Sequence, residues 1–176
     1  MSLNSGKQFE QQFKKSVPEY CFYYRIKDST GTFSGGDKLR FSSIQPCDAF
    51  LFDGKSRTFY ALELKSTKGT SFSFEDINAD NKQPKKMIHK HQIMCLKNIA
   101  TYSGTVSGFV FNFRDEKNTE ERTYFQNIYD FEKMIKNLNK KSFNESDLLS
   151  CPHVVIHGTK QRVHYKWDID GFLHSK

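Results

Sequence analysis

The sequence predicts one mixed α/β domain, and three observations carry that expectation. An amphipathic segment opens the chain, short strand-forming segments separated by turn residues follow it, and a second amphipathic segment precedes a further strand. The 176 residues suit a single globular domain, 1–176, with its core at about 5–138. Aromatic residues make up 15% of the chain, 17 of them Phe, so much of that core should be aromatic.

The elements follow in order. In 5–16, Phe9 and Phe13 stand four residues apart among Lys and Gln, the single narrow apolar stripe of a surface helix. Pro18 ends it. Residues 20–27 are rich in Tyr and Phe and read as a strand, whereas 28–43 are polar, carry Gly31, Gly35 and Gly36, and read as a long insertion. Ala49 to Phe52 and Phe59 to Leu62 read as adjacent strands joined by the turn-like Asp53-Gly54-Lys55-Ser56. A polar connection runs from 66 to about 85, long enough to suggest a functional loop. In 86–100, Ile88, Ile93, Leu96 and Ile99 fit a second helix, closed by Gly104. Residues 107–114 and 123–125 read as strands. Phe131, Met134, Ile135 and Leu138 predict a third helix over 130–138. Ser142 with Glu145 predicts a capping box for a short helix through Leu149. The tail, an appendage at about 142–176, predicts a hairpin over 154–167 turning at Gly158, with Trp167 packed.

A formal net charge of +7 favours an anionic partner, nucleic acid first among them. Charged residues recur from Lys7 onward and no apolar run approaches the roughly 18 residues of a membrane span. Export and membrane insertion are therefore not expected, and the cytoplasm is. Cys21, Cys47, Cys95 and Cys151 are scattered and read as reduced thiols. His153, His157 and His164 do not read as a zinc site, because the intervening Val154, Val155 and Ile156 form a strand and four-residue spacing pairs ligands only on a helix.

Asp48 precedes the first of the paired strands, and Glu63 and Lys65 lie on the second. Side chains alternate along a strand, so Glu63 and Lys65 share a face while Leu62 and Leu64 point to the other. An ionised carboxylate and an ammonium on an apolar strand are costly unless paired or bound to metal. Hydrolysis of a phosphodiester needs an activated water and neutralised phosphate charge, and a divalent metal on two carboxylates supplies both. Lys65 would sit beside that metal and stabilise transition-state charge. The plainer alternative makes Asp48 a turn residue and Glu63 with Lys65 an exposed ladder.

Pro46-Cys47-Asp48 and Glu63-Leu64-Lys65 on consecutive strands, in the order helix, three strands, helix, strand, resemble the PD-(D/E)xK nuclease superfamily. The segment Leu62-Glu63-Leu64-Lys65-Ser66-Thr67-Lys68-Gly69-Thr70-Ser71-Phe72, with His91-Gln92-Ile93 downstream and Gly6-Lys7-Gln8-Phe9-Glu10 at the start, resembles the RecU-type Holliday junction resolvases within it. The resemblance implies a restriction-endonuclease-like core with 28–43 as a stalk-like insertion before the first acidic motif. It implies a homodimeric endonuclease dependent on Mg2+, with Mn2+ as substitute, that makes paired nicks in branched, four-way DNA during recombination or phage DNA processing, alongside recombination proteins. Asp48, Glu63 and Gln92 would serve the metal site, Lys65 the transition state, and Glu10 would lie nearby as a further catalytic residue. Lys38, Arg40 and Lys68 would contact phosphate. Two departures stand out. Pro46 replaces a hydroxyl residue and offers only a carbonyl, and the connection from Phe72 to His91 is longer than usual, as in a phage-encoded or mobile-element relative. The competing functions are a restriction or repair nuclease acting on duplex DNA, and a DNA-binding recombination modulator without cleavage.

Overall fold

The computed structural model describes residues 5–26, 45–78, 85–114, 121–162 and 164–175. The stalk-like insertion, and with it Lys38 and Arg40, lies outside the described residues. The elements are α1 (Ser5–Ser16), β1 (Cys21–Arg25), β2 (Ala49–Asp53), β3 (Thr58–Thr67), β4 (Ser71–Ser73), α2 (Lys90–Ile99), β5 (Thr105–Phe113), β6 (Arg122–Asn127), α3 (Ile128–Asn137), β7 (Ser142–Asn144), α4 (Glu145–Leu149), β8 (Val154–Val155), β9 (Gly158–Lys160), β10 (Tyr165–Trp167) and α5 (Ile169–His174).

The fold is mixed α/β around a central mixed sheet ordered β1-β2-β3-β5-β6-β8. β3 and β5 run parallel, with α2 in the crossover that parallel pairing requires, and the other pairs are antiparallel. Alternation along the strands divides the core in two. On one face Leu51, Tyr60, Leu62, Leu64 and Val110 pack against Phe9 and Phe13 of α1. On the other, Ala61, Phe109 and Phe111 pack against Ile93 and Leu96 of α2 and Phe131 of α3. This second cluster is aromatic as expected: Phe72 lies 5.0 Å from Phe111, and Phe109 lies 4.5 Å from Phe131, ring centre to ring centre.

Three boundaries differ from the sequence reading. The second helix starts at Lys90 rather than near residue 86, because Ile88 is drawn into a bridge with Phe74 and His89 becomes the cap. Ser142 does not cap the fourth helix: it pairs with Ser73 in the β4–β7 ribbon, and Asn144 with Asp147 forms the capping box. Gly158 is not the hairpin turn but the first residue of β9, opposite Trp167, where any Cβ would collide with the indole ring. The two strands meet instead beyond Lys160 and Tyr165, where Gln161 N–H donates to the His164 carbonyl at 2.8 Å. The C-terminal segment also reaches back into the body. Trp167 is 1% exposed, meets Phe9 edge-on at 5.8 Å, and its backbone N–H donates to Ser16 Oγ at 2.9 Å. Phe172 and Leu173 of α5 join the α1 cluster.

Candidate active site

The antiparallel register of β2 and β3 sets Ala49 opposite Leu62, which brings Asp48, one residue before β2, beside Glu63. Three backbone bonds hold Asp48 there. Its N–H donates to the Leu62 carbonyl at 3.2 Å, and its own carbonyl accepts from Ile26 N–H at 2.9 Å. Its carboxylate accepts the Leu64 N–H at 2.8 Å. Glu63 is 2% exposed on the α2 face of the sheet. The Lys65 Nζ stands 3.0 Å from Glu63 Oε1, and Gln92 Nε2 donates to the same oxygen. The face-sharing of Glu63 and Lys65, read from strand alternation, is therefore present in three dimensions.

Two carboxylates facing one another in a dry place repel. Burial first, and then the negative charge of Glu63, push Asp48 up to about 7. Such a pair of hard oxygen donors fits Mg2+, which commonly takes one or two carboxylates and fills the rest of its octahedron with water and substrate oxygen. Among the described residues no third His, Cys, Asp or Glu joins them in a group that could hold a metal. Neighbouring Cys47 is buried, which raises its thiol to about 12, and its Sγ lies 3.4 Å from the Ala49 carbonyl. It is a packing residue rather than a nucleophile.

Gln92 bridges the start of α2 and the Glu63 carboxylate. It occupies the third position of α2, where its Oε1 accepts the His89 backbone N–H at 2.9 Å. A backbone N–H can only donate, so the amide must turn its oxygen to His89 and its NH2 to Glu63. The NH2 has no lone pair for a metal. Behind this contact, Glu75 anchors the start of the helix: Oε2 accepts Lys90 N–H at 2.6 Å and Oε1 lies 3.1 Å from His89 Nδ1. His89 stacks on His91 with ring centres 5.6 Å apart, and burial with the charges of His89 and Lys65 lowers the His91 pKa. Sequence reasoning missed Glu75 and His89. The spacing His89-x-x-Gln92 before an apolar run was the available signal.

Glu10 pairs with β1. It receives Arg25 Nε at 2.6 Å, an ion pair across α1 and β1 that the sequence did not reveal. Tyr23 lies on the same side, with its hydroxyl buried and without a hydrogen-bond partner among the described residues. Burial, then the charges of Glu10 and Asp48, raise its pKa. Lys68 is exposed just past the end of β3 and makes no ion pair among the described residues.

No protein-family model matches the chain. It is 31% identical to the SPbeta prophage-derived uncharacterized protein YotM of Bacillus subtilis (strain 168) over 177 residues, covering 93% of this chain and 82% of that protein. Among solved structures, the Holliday junction resolvase Hjc of the archaeal hyperthermophile Archaeoglobus fulgidus is similar with a TM-score of 0.42 and 15% identity, covering 82% of this chain and 89% of that one. No helix among the described residues is long and apolar enough to cross a membrane. The chain belongs to the family of the prophage protein YotM.

Proposed function

We propose that this member of the prophage family is a metal-dependent endonuclease that cuts branched DNA, resolving four-way junctions by paired nicks. One observation carries the reading: Asp48, Glu63 and Lys65 converge at one end of the mixed sheet, with Lys65 Nζ 3.0 Å from the Glu63 carboxylate and Asp48 beside it. The junction preference rests on the resemblance in 62–72 and 91–93, and a phage or mobile-element origin fits the family.

Asp48 and Glu63 would hold the Mg2+ or Mn2+. When bound, the ion neutralises phosphate charge and acidifies a water for attack. The Leu64 N–H holds the Asp48 carboxylate in place, and Gln92 NH2 holds that of Glu63. Gln92 thus acts through Glu63 as a positioning residue. The Lys65 ammonium reaches the same place from the strand and stabilises charge on the phosphate oxygens. Lys68 meets the DNA backbone as it leaves the site. Two copies would give two sites for opposed strands. Phe22 and Tyr24, 63% and 52% exposed on β1, offer a surface for a second copy to cover. Light scattering of the purified protein tests that assembly.

The deciding experiment is Mg2+-dependent cleavage of an immobile four-way junction beside a matched linear duplex, with wild type and Glu63→Ala. Paired nicks confined to the junction and lost in the variant support the reading. Equal cutting of the duplex would move the protein to the restriction or repair class, and cleavage surviving in Glu63→Ala would displace the site.

A further inference from the structure

The β9–β10 hairpin carries one sign of charge. No acidic residue occurs between Asp147 and Asp168, while that stretch contains Lys160, Arg162 and Lys166 with His157 and His164. All five are exposed, and none of the three permanent cations makes an ion pair among the described residues. Several cations elsewhere are engaged: Lys97 and Lys136 meet Glu132, Lys140 meets Asp147 and Lys141 meets Asp76. Exposed cations left together on a ribbon repel one another unless an anion meets them.

The hairpin is also rigidly held. Its inner residues Tyr165 and Trp167 are buried and stacked at 5.2 Å, and Trp167 is bonded to the end of α1. Its direction follows from the pairings. Thr67 of β3 lies opposite Phe113 of β5, and Arg114 N–H donates to the Thr67 carbonyl at 2.9 Å. Arg114 meets Glu121 at 2.9 Å, and the Glu121 backbone N–H donates to Tyr165 Oη at 3.1 Å. Tyr165 therefore stands at the end of the sheet where Glu63 and Lys65 emerge, and Trp167 stands further along α1. The ribbon beyond Tyr165, with Lys160, Arg162 and His164, lies at that end of the sheet, on the face covered by α1. The carboxylates near the ribbon are already committed: Glu121 to Arg114, and Asp168 to the Gly171 N–H at 2.9 Å.

We infer that this hairpin is a DNA-binding arm, in which Lys160, Arg162 and Lys166 contact backbone phosphates of a duplex arm that runs past the end of the sheet from the site of Asp48 and Glu63. The inference rests on the nuclease reading and adds a surface to it. Backbone contacts of this kind position a duplex without reading its sequence, which suits an enzyme selecting by shape.

The test is DNA binding by anisotropy in Ca2+ or EDTA, with a labelled linear duplex and a four-way junction, over a salt series. Wild type is compared with Lys160→Ala/Arg162→Ala/Lys166→Ala and with a charge-matched control on α3 and its exit, Lys133→Ala/Lys136→Ala/Lys140→Ala. The substituted side chains are exposed, so circular dichroism and Tm should match wild type in both. Each phosphate contact contributes a slope of about 0.9 in log K against log salt. The hairpin variant should therefore lose roughly two to three from that slope and at least about tenfold in affinity at 0.1 M salt. An unchanged slope, or an equal loss in the control, overturns the arm. Wild type that cleaves DNA while the hairpin variant binds unchanged overturns the arm alone. Wild type that neither binds nor cleaves DNA overturns the nuclease reading with it.

Discussion

The two faces of β3 show how one strand serves two purposes. Tyr60, Leu62 and Leu64 enter the cluster beneath α1, where Phe9, Phe13 and Trp167 exclude water. Ala61, Glu63 and Lys65 turn to the α2 face, where the cluster gives way to charge as the strand advances. Backbone geometry is the same on both sides, and only the partner layer differs. The apolar face yields free energy in proportion to area removed from water. The charged face is dry enough to strengthen electrostatics and is held by donors fixed in place, at the expense of repulsion between Asp48 and Glu63. On the proposed function, stability and chemistry should therefore be separable by single substitutions one residue apart.

The sharpest break of this comparison pairs Glu63→Gln with Leu62→Ala. Glu63→Gln should lower single-turnover cleavage by at least about 10³-fold, since it removes a metal-binding charge, while leaving DNA affinity near wild type. Leu62→Ala, at a fully buried position, should lower unfolding free energy by about 2–5 kcal/mol in denaturant while sparing metal affinity in the folded protein. Similar losses of activity and stability in both would mean that the faces are not independent. Next in size is Lys65→Ala, expected to slow cleavage by roughly 10²-fold with the Mn2+ affinity intact by calorimetry. Loss of Mn2+ binding would make Lys65 a structural partner of Glu63 instead.

A smaller effect belongs to Gln92. Removing the outer support of a metal-binding carboxylate typically lowers activity or affinity by about 10–100-fold, and Gln92→Leu should fall near the lower figure. Gln92→Glu keeps an oxygen for the His89 N–H but loses the donor to Glu63, so it should be slowed as well. Tighter metal binding with full activity in that variant would restore Gln92 as a ligand. The smallest effect concerns pH in metal-free protein. The folded pKa of Asp48, about 7, lies above the ordinary value of 3.8, so the folded state retains a proton that the unfolded chain has released. Stability should fall as pH rises through that window, and Asp48→Asn should flatten the slope, as read from Tm between pH 4 and pH 8. A slope unchanged in Asp48→Asn would assign it to another group.

Particular residues show why some of this was legible and some was not. Glu63 and Lys65 could be placed on one face because alternation is a property of any extended strand. Asp48 could be placed beside them because a tight turn at Asp53 to Ser56 leaves adjacent strands little choice of register: Asp53 accepts Lys55 and Ser56 N–H groups at 2.9 and 3.2 Å. Gln92 was placed near the site by resemblance, but the direction of its amide depended on where α2 begins, and that was settled by Ile88 bridging to Phe74. Ser142 carried a plausible cap signal that lost to a strand partner 69 residues earlier in the chain, Ser73.

By itself, the sequence determined the local periods: the helix stripe of Phe9 and Phe13, the alternation of β3, the aromatic weight of the core, and the acidic motifs fifteen residues apart. These follow from backbone geometry within a few residues and from side-chain chemistry. Only the tertiary structure decided that Arg25 closes on Glu10, that Glu75 holds the start of α2, and that Trp167 seats against Phe9 and ties a basic ribbon to α1. Each of these joins segments distant in the chain, where many partners of equal local propensity compete and the shared packing of both sheet faces makes the choice.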